Sequence, residues 1–418
     1  MDYQPRIVDT QVKDALGAMG AVVIEGPKAC GKTATARRHA VSEVLLDLDP
    51  DAARAAAVDP RLVLDGPTPR LIDEWQRQPA TWDAVRRAVD DRGAPGQFVL
   101  TGSSVPSHEA VRHSGAGRMT TITMRPMALF EQHVSSGLVS LGTLLDGGHP
   151  VTGRTDVELT HYVERIVVGG WPGLLGRSVP TATQFARGYL DMTVDHDIEL
   201  VTGSRRDPRL LRRFLHAYAQ VTSHPSRLST ILERARGDAP DEPPGPSRWA
   251  AEPYLDALRR LMVVDDVEPW DPELRSRTRL MSTPKRHLVD PSLAVALLGC
   301  GPDRLLRDVR TLGFLFESLV ARDIRVYAAA SNASTYHYRE RSGDLEVDLV
   351  VERRDGAWVG IEVKLGAALM DQAASALLRL AGARVVRPPA ALMVVTTTPY
   401  AYRRDDAVWV VPLAMLGP

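Results

Sequence analysis

Cysteine is nearly absent: the 418 residues contain two, Cys30 and Cys300, which excludes a disulfide framework and a thiolate zinc cluster. Lysine is scarce as well. Of 51 Lys and Arg residues only five are lysine (Lys13, Lys28, Lys32, Lys285 and Lys364), so each marks a place where a compact ammonium serves better than a planar guanidinium. No apolar run is long enough to cross a bilayer, and the start Met1-Asp2-Tyr3-Gln4-Pro5 lacks a basic segment followed by an apolar one. A cytoplasmic protein with no membrane partner is therefore expected. The formal net charge of -1 excludes a histone-like coat of positive charge, so any nucleic-acid contact has to be a local patch. Hydrophobic content of 44% and charged content of 25% are those of a globular chain. Its length implies about two to four domains.

What is present centres on Gly26-Pro27-Lys28-Ala29-Cys30-Gly31-Lys32-Thr33. This stretch fits G-x-x-x-x-G-K-[ST], follows the apolar run Ala21-Val22-Val23-Ile24 and opens a helix expected over 33–40. Such a loop wraps phosphates with backbone N–H groups, and the helix start adds its positive dipole end. ATP is the expected ligand, held by residues 26–33 with Thr35 beside them. Lys32 would meet the β- and γ-phosphates, and the Thr33 hydroxyl would complete the shell of Mg²⁺. A second strand over 44–50, broken by Pro50, is followed by Arg70-Leu71-Ile72-Asp73-Glu74. At that strand end Asp73 is expected to hold the Mg²⁺ water shell and Glu74 to orient and deprotonate the attacking water, unless the two are only a solvated pair. The next run ends in Thr101-Gly102-Ser103, where Ser103 is the first candidate sensor of the γ-phosphate and Thr101 the second. Strands alternating with helices such as 82–91 imply a mostly parallel sheet covered on both faces, with nucleotide at the carboxyl ends of its strands. Arg118 and Arg125 are candidates for an arginine finger, acting in cis or from a neighbouring subunit of a homo-oligomer, or for ordinary surface charge. A helix is expected over 129–135.

The order G-x-x-x-x-G-K-T, L-I-D-E, L-T-G-S-S, G-R and R-P-M-A-L-F-E resembles the AAA-type ATPases of bacteria and archaea fused to a C-terminal domain of unknown function. Gly169-Gly170-Trp171-Pro172, Val289-Asp290-Pro291, Gly313 to Glu317 and the final E-V-D and E-V-K elements continue it. The resemblance implies an α/β chain: a P-loop core over 1–150, a helical lid over 151–208, a winged-helix-like adaptor over 209–285 and a PD-(D/E)xK nuclease-like domain over 286–418.

Helical spacing recurs over 157–168, 185–200, 210–221, 228–235 and 254–261, and an apolar run at 262–264 reads as a strand. Winged helices bind DNA and also dock proteins, and both readings stay open. Asp195-His196-Asp197 reads as solvated charges, because neighbours on a helix point different ways. Residues 237–246, rich in proline, glycine and acids, read as a mobile loop.

Nearer the C-terminus a helix over 313–324 precedes strands over 336–339, 345–351 and 358–364, and a helix over 370–380 precedes closing strands. The succession of Glu317, Asp348 and Glu362-x-Lys364 resembles the nuclease fold just named. By that resemblance Asp348 and Glu362 bind Mg²⁺, Glu317 adds a third acid and Lys364 positions the attacking water. The other reading is an ion pair on an exposed strand edge. A three-residue turn Arg354-Asp355-Gly356 with a left-handed glycine pairs residue 353 with 357 and sets Asp348 opposite Glu362, whereas a two-residue Asp355-Gly356 turn would place them on opposite faces; the first is expected. Tyr336, Tyr338, Arg339 and Arg341 are candidates for contacting a nucleic-acid strand, DNA above all, or plain strand surface. The function that follows is an ATP-hydrolysing protein whose nucleotide cycle controls a nuclease-like module acting on nucleic acid. The alternative is an ATP-dependent switch or scaffold whose C-terminal fold only binds.

Overall fold

Short apolar runs separated by helices must pair in parallel, because each strand returns to the sheet only after a crossover. In the computed structural model these runs are β1 (Ala21–Glu25), β2 (Ser42–Leu45), β3 (Arg70–Asp73), β4 (Phe98–Gly102) and β5 (Met119–Thr123), in the order β2-β3-β4-β1-β5, every neighbouring pair parallel. Residues 3–103, 114–148, 151–203, 206–236, 245–271, 283–340, 343–383 and 387–418 are described. Arg341 and most of the loop expected over 237–246 lie outside them. β1 lies between β4 and β5, and its alternating side chains feed two cores. Val22 and Ile24 pack with Val8, Val12 and Leu16 of helix Val8–Ala18. Ala21 and Val23 pack with Val85 and Val89 of helix Ala80–Arg92 on the opposite face.

A single larger core gathers side chains from Ala128 to Leu416. Residues 128–145, within the stretch expected to belong to the P-loop core, thus bury Leu129, Val139, Leu141 and Leu144 against later parts of the chain. β6 (Val139–Ser140) pairs with β15 (Leu416–Gly417), which joins this connector to the chain's last residues. The helix expected over 129–135 is a series of turns, with His133 at φ 58°.

The middle of the chain is helical: Leu159–Val168, Val179–Met192, Pro208–Ala219, Leu228–Arg236 and Arg248–Arg260. The strand expected at 262–264 is absent. Met262 turns the chain at φ 55° and Val264 makes one isolated antiparallel bridge, to Leu288. Val267 bridges Lys285 in the same way. The segment then feeds β8 (Glu268–Pro269) into the C-terminal sheet, so among the described residues of the expected adaptor three helices are joined by isolated bridges rather than by a paired wing.

That sheet has eight strands among the described residues: β7 (Gly153–Arg154), β8, β9 (Ala333–Arg339), β10 (Glu346–Arg353), β11 (Trp358–Lys364), β12 (Ala391–Thr396), β13 (Tyr400–Arg403) and β14 (Trp409–Pro412). β9, β10 and β11 are antiparallel, whereas β11, β12 and β14 run parallel. Helix Val309–Ala330 packs on one face and helix Met370–Gly382 on the other. The hairpin register is the one its turn implies. Gly356 has φ 80°, the Arg353 N–H donates to Ala357 O at 2.9 Å, and Leu349 pairs with Ile361.

Candidate functional site

Loop 26–33 leaves the carboxyl end of β1 and runs straight into helix Lys32–His39. Glycine is required at both of its ends. A Cβ on Gly26 would lie 2.2 Å from Met124 O, and Gly31 sits at φ 101°. Lys32, 6% exposed, donates from Nζ to Gly26 O at 3.0 Å and Pro27 O at 2.9 Å, folded over the loop it belongs to. The Thr33 hydroxyl donates to Asp73 Oδ1 at 2.9 Å, and Thr101 also bonds that oxygen. Glu74, next in the chain, has φ 53° and accepts from Ser103 Oγ at 3.2 Å and from Gln76. Lys28, Lys32, Thr33, Glu74 and Ser103 line one cavity of about 920 Å³. A hydroxyl and a carboxylate converging beside an ammonium are the donor set that a magnesium nucleotide requires, so the residues fit that group.

Several candidates stand elsewhere. Thr35 is buried and faces the Tyr3 hydroxyl at 3.1 Å. Cys30 is buried beneath the loop, its thiol on Met124 O. Arg118 precedes β5, so it lies at the amino end of the sheet, opposite the loop, where it pairs with Asp90 at 2.6 Å. It does not reach the cavity of its own chain. Arg125 follows β5 at the carboxyl end, but its guanidinium turns away to Asp265 at 2.7 Å. The arginines that do line the cavity are Arg37, Arg77 and Arg260.

Asp195 and His196 are exposed, as solvated charges should be, and Asp197 alone departs from that reading. Residues Thr193–Asp197 form a π-helical turn, which rotates Asp197 inward to 6% exposure, and its carboxylate pairs with Lys28 Nζ at 2.6 Å on the cavity wall. No spacing in the sequence announces that extra residue in the turn.

From the loop an ion-paired path leads into the larger body. Arg6 donates to Cys30 O at 2.9 Å, to Arg125 O at 2.7 Å and to Glu131 at 3.0 Å. Arg125 and Arg325 both pair with Asp265, at 2.7 and 2.8 Å. Burial works to raise the pKa of Asp265, but the two guanidinium groups outweigh it and hold the carboxyl down to about 2. Asp265 N–H donates to His287 O, and Val267 exchanges two backbone bonds with Lys285. Two hydrogen bonds from Arg6 to backbone carbonyls, the Arg125–Asp265 ion pair and one strand-like pairing therefore separate the phosphate loop from Lys285.

Lys285 is the member of the C-terminal cluster that motif reading missed. It is fully buried, and its Nζ lies 2.8 Å from Glu317, 3.1 Å from Asp348 and 3.4 Å from Glu346. Lys364 Nζ lies 2.5 Å from Glu362 and 3.3 Å from Asp348, whose second oxygen also accepts the Val363 N–H at 2.9 Å. Glu317, Asp348, Glu362 and Lys364 thus do come together, around a second lysine. Burial and then the Asp348 charge push Glu317 and Glu362 up to about 8, against the pull of the lysines. Burial opposes ionisation of Asp348 too, yet Lys285 and Lys364 hold it far below the ordinary carboxylate range. Among the described residues no three His, Cys, Asp or Glu side chains are arranged to hold a metal ion. The signal that would have found Lys285 is scarcity, for four of the five lysines stand in these two sites.

No helix among the described residues is long and apolar enough to cross a membrane. Over 370 residues the chain is 27% identical to an uncharacterized protein of Mycobacterium tuberculosis and to one of Mycobacterium bovis, covering 87% of this chain and 74% of each relative. Residues 159–304 match a domain of unknown function (DUF8612). With an AAA domain matched over residues 19–133 and a domain of unknown function (DUF4143) over 312–416, the chain carries an AAA-type P-loop domain joined to a DUF4143 C-terminal domain.

Proposed function

We propose that the chain binds ATP with Mg²⁺ above loop 26–33, hydrolyses it, and uses the nucleotide state to switch the body that carries the C-terminal domain. The observation that carries this reading is the convergence of Thr33 and Asp73 at 2.9 Å beside Glu74, at the mouth of a glycine-bounded loop. When bound, Mg²⁺ would neutralise charge on the β- and γ-phosphates. Lys32 is free to exchange two loop carbonyls for phosphate oxygens, a short movement of one side chain. Glu74, braced by Ser103 and Gln76, takes the proton of the attacking water at its carboxylate. Its left-handed backbone is costly for a residue with a Cβ and supports a functional demand at that position.

Asp197 sets the state of this site. Its carboxylate holds Lys28 away from the phosphates and itself repels them across the cavity. Asp197→Asn removes both effects and is expected to tighten ATP binding by about 1 kcal/mol, roughly fivefold. Calorimetric titration of the two proteins checks this, and equal affinities would refute a gating role for the pair.

Switching is supported by Arg125, which leaves the strand beside the loop and ends on Asp265. Hydrogen exchange tests the whole reading. ATP with Mg²⁺ is expected to protect residues 26–33 and to alter exchange over 264–267 and 285–288. In Arg125→Ala the first effect should persist and the second vanish. Without protection of the loop the nucleotide assignment fails, and an unaltered distant response in the variant removes the switch.

A second reading, a nuclease-type module acting on nucleic acid, is favoured by the succession of helix Val309–Ala330, three antiparallel strands, helix Met370–Gly382 and a parallel strand. Asp348 and the Glu362-x-Lys364 pair on that frame add to it. That reading requires metal-dependent cutting of DNA that disappears in Glu362→Gln.

A further inference from the structure

We infer that Lys285 is the resident cation of the C-terminal acidic cluster, standing where a nuclease of this build would hold a divalent metal. The inference is independent of whether ATP is hydrolysed. It rests on which atoms are already engaged. Asp348 offers one oxygen to Lys285 at 3.1 Å and the other to the Val363 N–H at 2.9 Å and to Lys364 at 3.3 Å. Glu317 gives Oε1 to Lys285 at 2.8 Å, and Glu362 gives Oε2 to Lys364 at 2.5 Å. A magnesium ion needs about six oxygens at roughly 2.0–2.1 Å in near-octahedral array. Here the oxygens surround an ammonium at ordinary hydrogen-bond distances.

Lys285 is not a surface side chain that has folded in. Its backbone exchanges N–H···O bonds with Val267 at 2.9 Å in both directions, and its side chain is 1% exposed. Withdrawing it would move the paired segments together and leave buried carboxylates facing one another. Charge makes the same point. A buried ammonium is tolerable only with partners, and this one has three acids around it. An ammonium donates hydrogen bonds but does not activate water as a Lewis acid, so the cluster is built to hold strands and helix together or to present Lys364, not to cut a phosphodiester with metal.

The probe is Mn²⁺ titrated into the full chain without nucleotide, followed by electron paramagnetic resonance and by thermal melting. Wild type and Glu362→Gln are expected to take up Mn²⁺ equally, since Glu362 gives its oxygen to Lys364 rather than to an ion. Lys285→Met, which keeps the volume and removes the charge, is expected to bind one more Mn²⁺ than wild type and to melt higher as Mn²⁺ is added. Lys285→Met with Glu362→Gln should lose that gain. Mn²⁺ uptake by wild type that is reduced in Glu362→Gln would overturn the inference, as would a Lys285→Met protein that gains no ion. Should Lys285→Met not fold, the wild-type and Glu362→Gln comparison decides alone: equal uptake sustains the inference and unequal uptake overturns it.

Discussion

Lys32→Ala is expected to lower ATP turnover on the order of 10²–10³-fold, the size of effect seen when one preorganised charged or hydrogen-bonding group is removed from a reacting centre. The ammonium now satisfies itself on Gly26 O and Pro27 O. Those carbonyls belong to the loop itself, so the alanine variant leaves the fold's main supports untouched. Arg6 still braces Cys30 O, and Thr33 still meets Asp73. A melting temperature close to wild type should therefore accompany the loss of phosphate release. The stability measurement matters because it separates a missing phosphate partner from a collapsed loop. Turnover unchanged in Lys32→Ala would remove the P-loop domain from any catalytic account of this chain.

Local chemistry made some of this legible before any coordinates. Arg354-Asp355-Gly356 fixes a hairpin because only glycine takes the left-handed position cheaply, and the register of β10 on β11 follows from counting outward. Asp73 beside Thr33 follows equally from a short strand next to a phosphate loop. Other residues were hidden for stated reasons. Arg118 was a finger candidate because the run Met119–Thr123, with three threonines, gives a weak apolar signal, and β5 goes unread. Once that strand is recognised, its chain direction alone assigns Arg118 to the wrong end of the sheet. Asp197 depends on one extra residue in a helical turn, which no periodicity reports. Lys285 lies 63 residues before Asp348 and reaches it only through the pairing of Val267 with Lys285, a tertiary contact. The helix expected over 129–135 failed because the connector's backbone is used to dock rather than to coil. Leu129 N–H donates to Asp323 and Phe130 N–H to the Tyr327 hydroxyl, both on helix Val309–Ala330.

That docking leads to a large expected stability effect. Arg322 lies 3% exposed between two fully buried acids, with Asp290 at 2.9 Å and Asp323 at 2.7 Å. Each acid has a further task. Asp290 accepts the Gly170 N–H and the Ser292 hydroxyl, while Asp323 accepts the Leu129 N–H. Burial, helped by the nearby Glu131 charge, pushes the Asp323 carboxyl above its ordinary range even beside the guanidinium. Removing Arg322 therefore strands two carboxylates in the core and loosens the connector at residues 128–171 from helix Val309–Ala330. Breaking a buried pair of this kind costs about 3–5 kcal/mol, a large share of the roughly 5–15 kcal/mol that stabilises a folded domain. Arg322→Ala should shift the urea midpoint accordingly. Arg54→Ala, which breaks only the exposed pair with Asp51, should leave it unchanged. Because Arg322 also joins the segment after the P-loop domain to the C-terminal domain, the transition should lose cooperativity, with the sheet of β1 to β5 and the eight-stranded sheet melting apart. A shift below about 1 kcal/mol, or a single unchanged transition, would mean that the two acids find other partners and that the bodies are held by apolar packing alone.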